Sequence, residues 1–498
     1  MDYKIPRATW VVIYDSVIVA FGSGNTPINL INSHTKVIDC QGMTLMPGFN
    51  DAHTHIFSTV SNILSVDCSS ASVDSIKDLV IKLKDKAVSI GPDEWVKGSG
   101  YNEFNLIEKR HPNRWDIDKL ISDNPVRLRH SSGHAVVLNS KALDIIGINA
   151  TTPDPIYGVI DRVDETGEPT GLLLEMDDYL RPVIPYLSDD EFKLGINIFN
   201  NNCIELGITS VQDATAHNSL DQWQAFLDIL GKGLIDPSIN MMVGIDHIQE
   251  FLEMGLHFQS LVSRIKVGPA KIMATMTTGT LHPSLEELCE KIRYAESRGF
   301  QIALHGVEAE VNFQVTEAIG RCSDGESNNF RHRIEHCSEC PPNLGDKLSK
   351  NGMVIVTQPA FIYYMGDRYR KNVEEYKQDW LYRIRSLYAR GIVVGIGSDS
   401  PVIPMNPLMG IYAAATRLSS DGYVLNVDET VSVEQALNMY TLGSAYASFD
   451  EKKKGYIGVG AYADLILLDR DPTTIDASEI KDVKNVMTII AGRIVWQG

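Results

Sequence analysis

The sequence predicts an α/β chain: a closed (β/α)8 barrel, a small β-sandwich domain built from both termini, and a subdomain inserted after barrel strand 1. Three observations predict it. Eight short apolar runs alternate with amphipathic segments through the middle of the chain, β-branched runs stand at both ends, and about 150 residues separate the first two barrel runs. Strands joined by helical crossovers lie parallel and are buried on both faces, and eight is the number that closes a barrel. The rival, an open doubly wound sheet, would carry a GxGxxG after its first strand; none stands in that context.

The elements follow in order. Residues 9–21 (TWVVIYDSVIVAF) and 36–47 (KVIDCQGMTLMP) read as short strands divided by the Gly/Asn/Pro-rich stretch 22–28. The tail 455–498 has the same texture, with Gly-rich turns between Val/Ile/Leu runs. Neither end can bury a core alone, so 1–48 and 455–498 are expected to form one composite β domain. Between them, 49–454 forms the barrel. Its strands are read at 44–55, 208–214, 240–245, 267–274, 300–306, 330–336, 353–358 and 392–399, and the segment 284–298 is a helix ending at Gly299. The long interval after strand 1 is more than one crossover needs. It holds apolar runs of its own (126–138, 171–176) and the turn-rich TTPDPIYG at 151–158, which places a grafted subdomain at about 90–176.

Composition narrows the function. The 498 residues carry 45 Lys+Arg against 64 Asp+Glu, a net charge of −19. Such an acidic total argues against a nucleic-acid or anionic-membrane partner, since both would be repelled. No segment approaches the ~20 apolar residues of a membrane span. The N-terminal apolar run is broken by Asp15 and lacks a small-residue cleavage site, so it is not read as a signal peptide. Seven scattered cysteines include a lone CxxC, Cys337 and Cys340, without the second pair that a zinc finger needs. A reduced, cytoplasmic setting and a small-molecule substrate are the expectation, and a homodimer is the common assembly.

The chemistry concentrates at strand ends. MPGFNDAHTH finishes in His53-x-His55; residues i and i+2 of a strand face the same way, which at this end is the barrel mouth. Two convergent imidazoles suit a divalent metal such as zinc. A chain with 13 histidines also makes such a pair by chance. However, His305 closes QIALHG, His336 closes RHRIEH and Asp399 closes VVGIGSD, all at the same end of their strands. Lys271, in GPAKIMA, would be a costly buried amine unless it found a partner. Its neutral form can take up carbon dioxide as a carbamate that bridges two metals; the plainer reading is an ordinary lysine with its head in water.

Together PGFNDAHTH, Lys271, LHG, RHRIEH and GSDSP resemble the amidohydrolase superfamily, and within it the branch containing N-substituted formamide deformylase. SSGHAVVLNSKAL (131–143), TGLLLE (170–175), NPLMGIYAAATR (406–417) and the tail 455–472 are also similar to that branch, so the likeness spans nearly the whole chain. The resemblance implies a metal-dependent hydrolase of non-peptide C–N bonds. His53, His55 and Asp399 would hold one ion, His305 and His336 a second, with carboxylated Lys271 bridging. Water between them would be the nucleophile, with Asp399 taking its proton and passing it to the leaving nitrogen. Three departures stand out. Thr275 occupies a position where the family often has Asp, the loop 276–283 is short, and the N-terminus begins short of the usual first sandwich strands.

Other positions have less behind them. His134 and Glu175 are candidate substrate contacts, each equally readable as a structural hydrogen bond; Tyr101 and Asn102 could line the pocket or sit in an exposed turn. Asp213 reads as support for the metal site, Arg417 as the partner of an acidic group, and His332 as packing on the same strand face as His336. The aromatics at 361–388 read as a helix-rich surface segment before a lid. A deaminase or esterase with one ion and an unmodified Lys271, or a barrel that regulates without catalysing, are the alternative functions. Manganese, iron and cobalt fit the same donors as zinc.

Overall fold

The computed structural model describes residues 7–25, 28–155, 158–180, 182–185, 187–276, 279–322 and 330–498. Ile156 and Tyr157 of the turn-rich stretch, Thr277 and Thr278 of the short loop, and residues 1–6 therefore lie outside the described residues. The chain divides into two compact units, residues 1–56 with 200–498, and Phe57–Phe199.

Eight parallel strands of the first unit hydrogen-bond in chain order: Phe49–Thr54, Ile208–Asp213, Ser238–Gly244, Ile265–Ile272, Ile302–Gly306, Arg333–His336, Val354–Thr357 and Val394–Ile396. The first and last strands meet just past the eighth, where Asp399 N donates to His53 O (2.7 Å) and His55 N to Ser400 O (2.9 Å). Closure depends on Gly397, because a Cβ there would stand 2.4 Å from His53 N. The crossover helices turn their apolar positions inward. Leu285–Glu296 starts at Ser284 in a reciprocal cap with Glu287 and buries Leu288, Ile292 and Ala295, spaced for one helix face. Its end is marked by Gly299 at φ +77°.

The run 44–55 is two strands. Thr44–Pro47 pairs antiparallel with Leu465–Leu468, in a four-stranded sheet with Asn485–Ile490 and Arg493–Gln497, whereas Phe49–Thr54 enters the barrel. Gly48 makes the change of sheet possible, since a side chain there would run into Thr209. The hairpin Trp10–Tyr14/Val17–Gly22 contributes Ile18 to an apolar cluster with Ala463, Leu465, Leu467 and Met487. The two termini thus share one core, and these strands fall within the same compact unit as the barrel.

The second unit holds a six-stranded mixed sheet, ordered Val66–Asp67, Val96–Tyr101, Val126–His130, Ala135–Leu138, Pro169–Leu174 and Val159–Arg162. It extends beyond 90–176 at both ends. The helix Ile76–Ile90 belongs to it because Leu79, Val80, Leu83 and Ala87 pack into the same core as Val96, Val126 and Leu128. Cys289 and Cys322 form a disulfide between two barrel helices, unlike the wholly reduced set expected; the other five cysteines are free. Among the described residues no helix is long and apolar enough to cross a membrane.

Candidate metal centre

His53 and His55 end the first barrel strand with their rings 5.3 Å apart. Both Nε2 atoms face one carboxylate oxygen: Asp399 Oδ1 is 3.4 Å from His53 Nε2 and 3.2 Å from His55 Nε2. The other oxygen, Oδ2, lies 3.9 Å from His336 Nδ1. The His336 ring stands 4.7 Å from that of His53 and 4.5 Å from that of His305. Side chains from strands one, five, six and eight therefore meet at one rim. His53, His55 and Asp399 each offer a ligand atom within 4.8 Å of the others, a spacing that can hold a metal ion.

The hydrogen bonds around the rings select which nitrogen faces inward. His53 Nδ1 lies 2.5 Å from Glu335 Oε2, His55 Nδ1 3.1 Å from Thr215 Oγ1, and His336 Nδ1 3.0 Å from Gln358 Oε1. The Glu335 and Gln358 oxygens are acceptors, which puts the proton on Nδ1 of His53 and His336 and leaves their Nε2 a lone pair, whereas the Thr215 hydroxyl can donate or accept. His53 Nε2 is buried and, among the described residues, has no hydrogen-bond partner. A buried lone pair of this kind is costly unless something binds it. The donor set, imidazole nitrogens around a carboxylate, is that of a divalent transition-metal site.

Charge is arranged to match. Burial, with Lys271 and His336 nearby, pushes His53 well below the usual imidazole range and keeps it neutral. Burial alone would raise Asp399, but His336, His55 and His53 outweigh it and hold the carboxylate ionised. Lys271 is buried on the fourth strand, and burial brings its amine down to about 8 against the opposing pull of Glu335 and Asp399. His336 and Asp399 sit at φ +73° and +58°, a region costly for side-chain-bearing residues. These turns end the strand alternation and swing both side chains into the mouth.

That geometry corrects one expectation. His332 does not share a face with His336: it packs outward, with Nε2 2.8 Å from Glu296 Oε1 and its ring stacked on Phe330. Arg333 and Glu335 are the residues of that strand whose charged groups fill the interior. Asp213 binds the Ile56, Thr215 and Asn218 nitrogens, tying down the chain beside His55. Arg417 is wholly buried and donates to the carbonyls of Leu381, Tyr382 and Leu425, so it braces backbone where an acidic partner was expected. Thr275 is paired through its backbone with His282. Of the aromatics, Tyr382 forms a core with Leu381, Ile362 and Leu425, and Tyr369 joins Tyr382 hydroxyl to hydroxyl at 2.7 Å.

The four substrate-contact candidates lie in the second unit. His134 Nδ1 and Glu175 Oε2 are 3.1 Å apart, with the histidine half exposed. Tyr101 is completely buried, its hydroxyl on His111 Nδ1 at 2.9 Å, so it belongs to the core of that unit and lines no open surface. Asn102 accepts from Phe104 N and donates to Ser131 Oγ, closing a turn.

The fold and site define a (β/α)8 barrel with a histidine–carboxylate cluster at the C-terminal rim of its strands. Residues 36–496 match the amidohydrolase family, and the chain belongs to that family of hydrolases. It is 28% identical over 496 residues to the N-substituted formamide deformylase of Arthrobacter pascens, covering 93% of this chain and 90% of that one. It is also 27% identical over 526 residues to the putative amidohydrolase YtcJ of Bacillus subtilis, covering 99% and 96%. Among solved structures, a metal-dependent hydrolase of Pyrococcus horikoshii has the same fold, with a TM-score of 0.75 at 23% identity over 94% of each chain.

Proposed function

We propose that the chain hydrolyses the C–N bond of an amide-like small molecule, such as an N-acyl or N-formyl compound, with one or two divalent ions, zinc foremost. The observation that carries this is the Nε2 of His53, unpartnered among the described residues and set with His55 Nε2 around Asp399 Oδ1. The family, and the likeness to a formamide deformylase, support the amide-like substrate. A divalent ion bound here supplies an acidified water and polarises the carbonyl.

The chain's own residues do the rest. His53 presents a neutral nitrogen with the His55 ring beside it, and Asp399 stays ionised next to them, placed to take the proton of the attacking water. Returning that proton to the departing nitrogen lets the amine leave neutral. Lys271, its amine brought down to about 8, is the site for carboxylation: the neutral nitrogen bonds to the carbon of CO2 and releases one proton, leaving an anionic carbamate. His305, His336 and the carbamate would then hold the second ion. A single-ion deaminase or esterase is the second reading. It is favoured by the fact that, among the described residues, His53, His55 and Asp399 are the one group with close-set ligand atoms.

Metal analysis of the purified chain, followed by assays on N-substituted formamides, other amides, esters and ring amines, tests the proposal. One or two ions per chain and turnover of amides first is the expected result. A chain without bound metal and without turnover on any of these would replace the proposal with a non-catalytic barrel.

A further inference from the structure

Beneath the rim, Arg333 and Glu335 form a wholly buried ion pair, with Arg333 Nη2 3.1 Å from Glu335 Oε2 and Nε closer still to Oε1. Arg333 is anchored in turn to Gln212 Oε1 (2.7 Å) and Ala52 O (2.8 Å), which belong to strands two and one. Gln212 itself is held by Ser444 O at 2.8 Å. Glu335 Oε2 is also the oxygen that receives His53 Nδ1. Thr215 and Gln358 offer neutral oxygens to His55 and His336, whereas His53 gets a full negative charge fixed from three strands.

We propose that Arg333 and Glu335 are a positioning pair that holds His53 as its Nδ1–H tautomer and so sets how tightly the rim retains a divalent cation. The inference rests on the reading of this rim as a metal centre. A buried ion pair is a doubtful source of stability, because desolvating both charges offsets their attraction. Orienting a ligand is a use that justifies its place, since a charged acceptor on one ring nitrogen makes the other a better donor.

Two measurements test it. In the unmodified metal-free chain, ¹⁵N spectra of labelled histidine, with His53 assigned through His53→Gln, should show a protonated Nδ1 and a bare Nε2. A proton on Nε2 overturns the proposal. Competition between the chain and a chelator for zinc alone should show Glu335→Gln and Arg333→Met binding about 10- to 100-fold more weakly. Glu335→Asp should recover part of the loss. Zinc affinity within twofold of the parent, with only the melting temperature lowered, would mean a purely structural pair and overturn the proposal. If neither variant folds, the tautomer decides. A parent that binds no divalent ion at all defeats the metal-centre reading instead, and the tautomer still judges this one.

Discussion

Each compact unit contains a cluster of histidine and carboxylate, and the two are built on opposite plans. At the barrel rim Glu335, Thr215 and Gln358 lie against Nδ1 of His53, His55 and His336, and the Nε2 atoms of His53 and His55 converge on Asp399, that of His53 unpartnered among the described residues. In the Phe57–Phe199 unit, Tyr101, Glu103, His111 and His130 lie together, with His130 Nε2 and Glu103 Oε2 making no hydrogen bond among the described residues. His130 Nδ1 accepts the N–H of Ser132 at 3.1 Å, so its proton sits on Nε2, 2.8 Å from Glu103 Oε2. The Tyr101 hydroxyl lies 2.9 Å from His111 Nδ1, and His111 Nε2 lies 3.7 Å from Glu103 Oε1. The residue types are alike. The residues differ in which side of the ring meets the carboxylate: at His53 a bare nitrogen faces it, at His130 an N–H does.

The largest test of this contrast is Asp399→Asn. It should lower turnover about 10²- to 10⁴-fold, the usual share of a general acid–base, with circular dichroism unchanged. Near-normal turnover would remove Asp399 from its role, while Glu103→Gln should leave zinc stoichiometry as it was.

Carbon dioxide gives the next effect. Metal-free chain reloaded with zinc in bicarbonate-free buffer should recover several-fold less activity. Because the Lys271 amine loses its proton near pH 8 instead of 10.5, the bicarbonate-dependent recovery should rise from pH 7 to pH 9. Recovery indifferent to bicarbonate, with one ion per chain, would favour the single-ion enzyme.

Gly397→Ala should cost about 1–3 kcal/mol in urea unfolding, because its methyl forces strands one and eight apart at His53. No measurable loss would show that closure is looser than the contacts imply.

The smallest effect belongs to the cluster around Glu103. Burial favours the protonated Glu103, but its pairing with His130 and the nearby histidines bring it down to about 2 from an ordinary 4.5. A depressed carboxylate stabilises the fold above pH 4.5, and that contribution fades as pH falls toward 2. Glu103→Gln should therefore flatten the melting temperature against pH within that window. Parallel profiles for parent and variant would show that Glu103 adds nothing.

Much of the rim was legible because strand periodicity and apolar runs are local. His53-x-His55 stands out by its spacing, and His305, His336 and Asp399 by ending apolar runs. Glu335 and Arg333 were in view inside RHRIEH yet carried no signal. Alternation allots residues to two faces without saying which is inward, and His336 breaks the alternation at φ +73°. Thr215 and Gln358 are neutral residues in no pattern, meaningful only beside a particular ring nitrogen. The strand read at 44–55 hid a change of sheet at Gly48, because nothing in a continuous apolar run shows where its neighbours change.

The sequence alone determined the alternation of strands and helices, the barrel they add up to, and which polar side chains stand at strand ends, since each follows from neighbours a few positions apart. Tertiary structure alone decided which ring nitrogen bears a proton. That choice depends on acceptors such as Glu335, separated from His53 by 282 residues and brought within 2.5 Å by barrel closure.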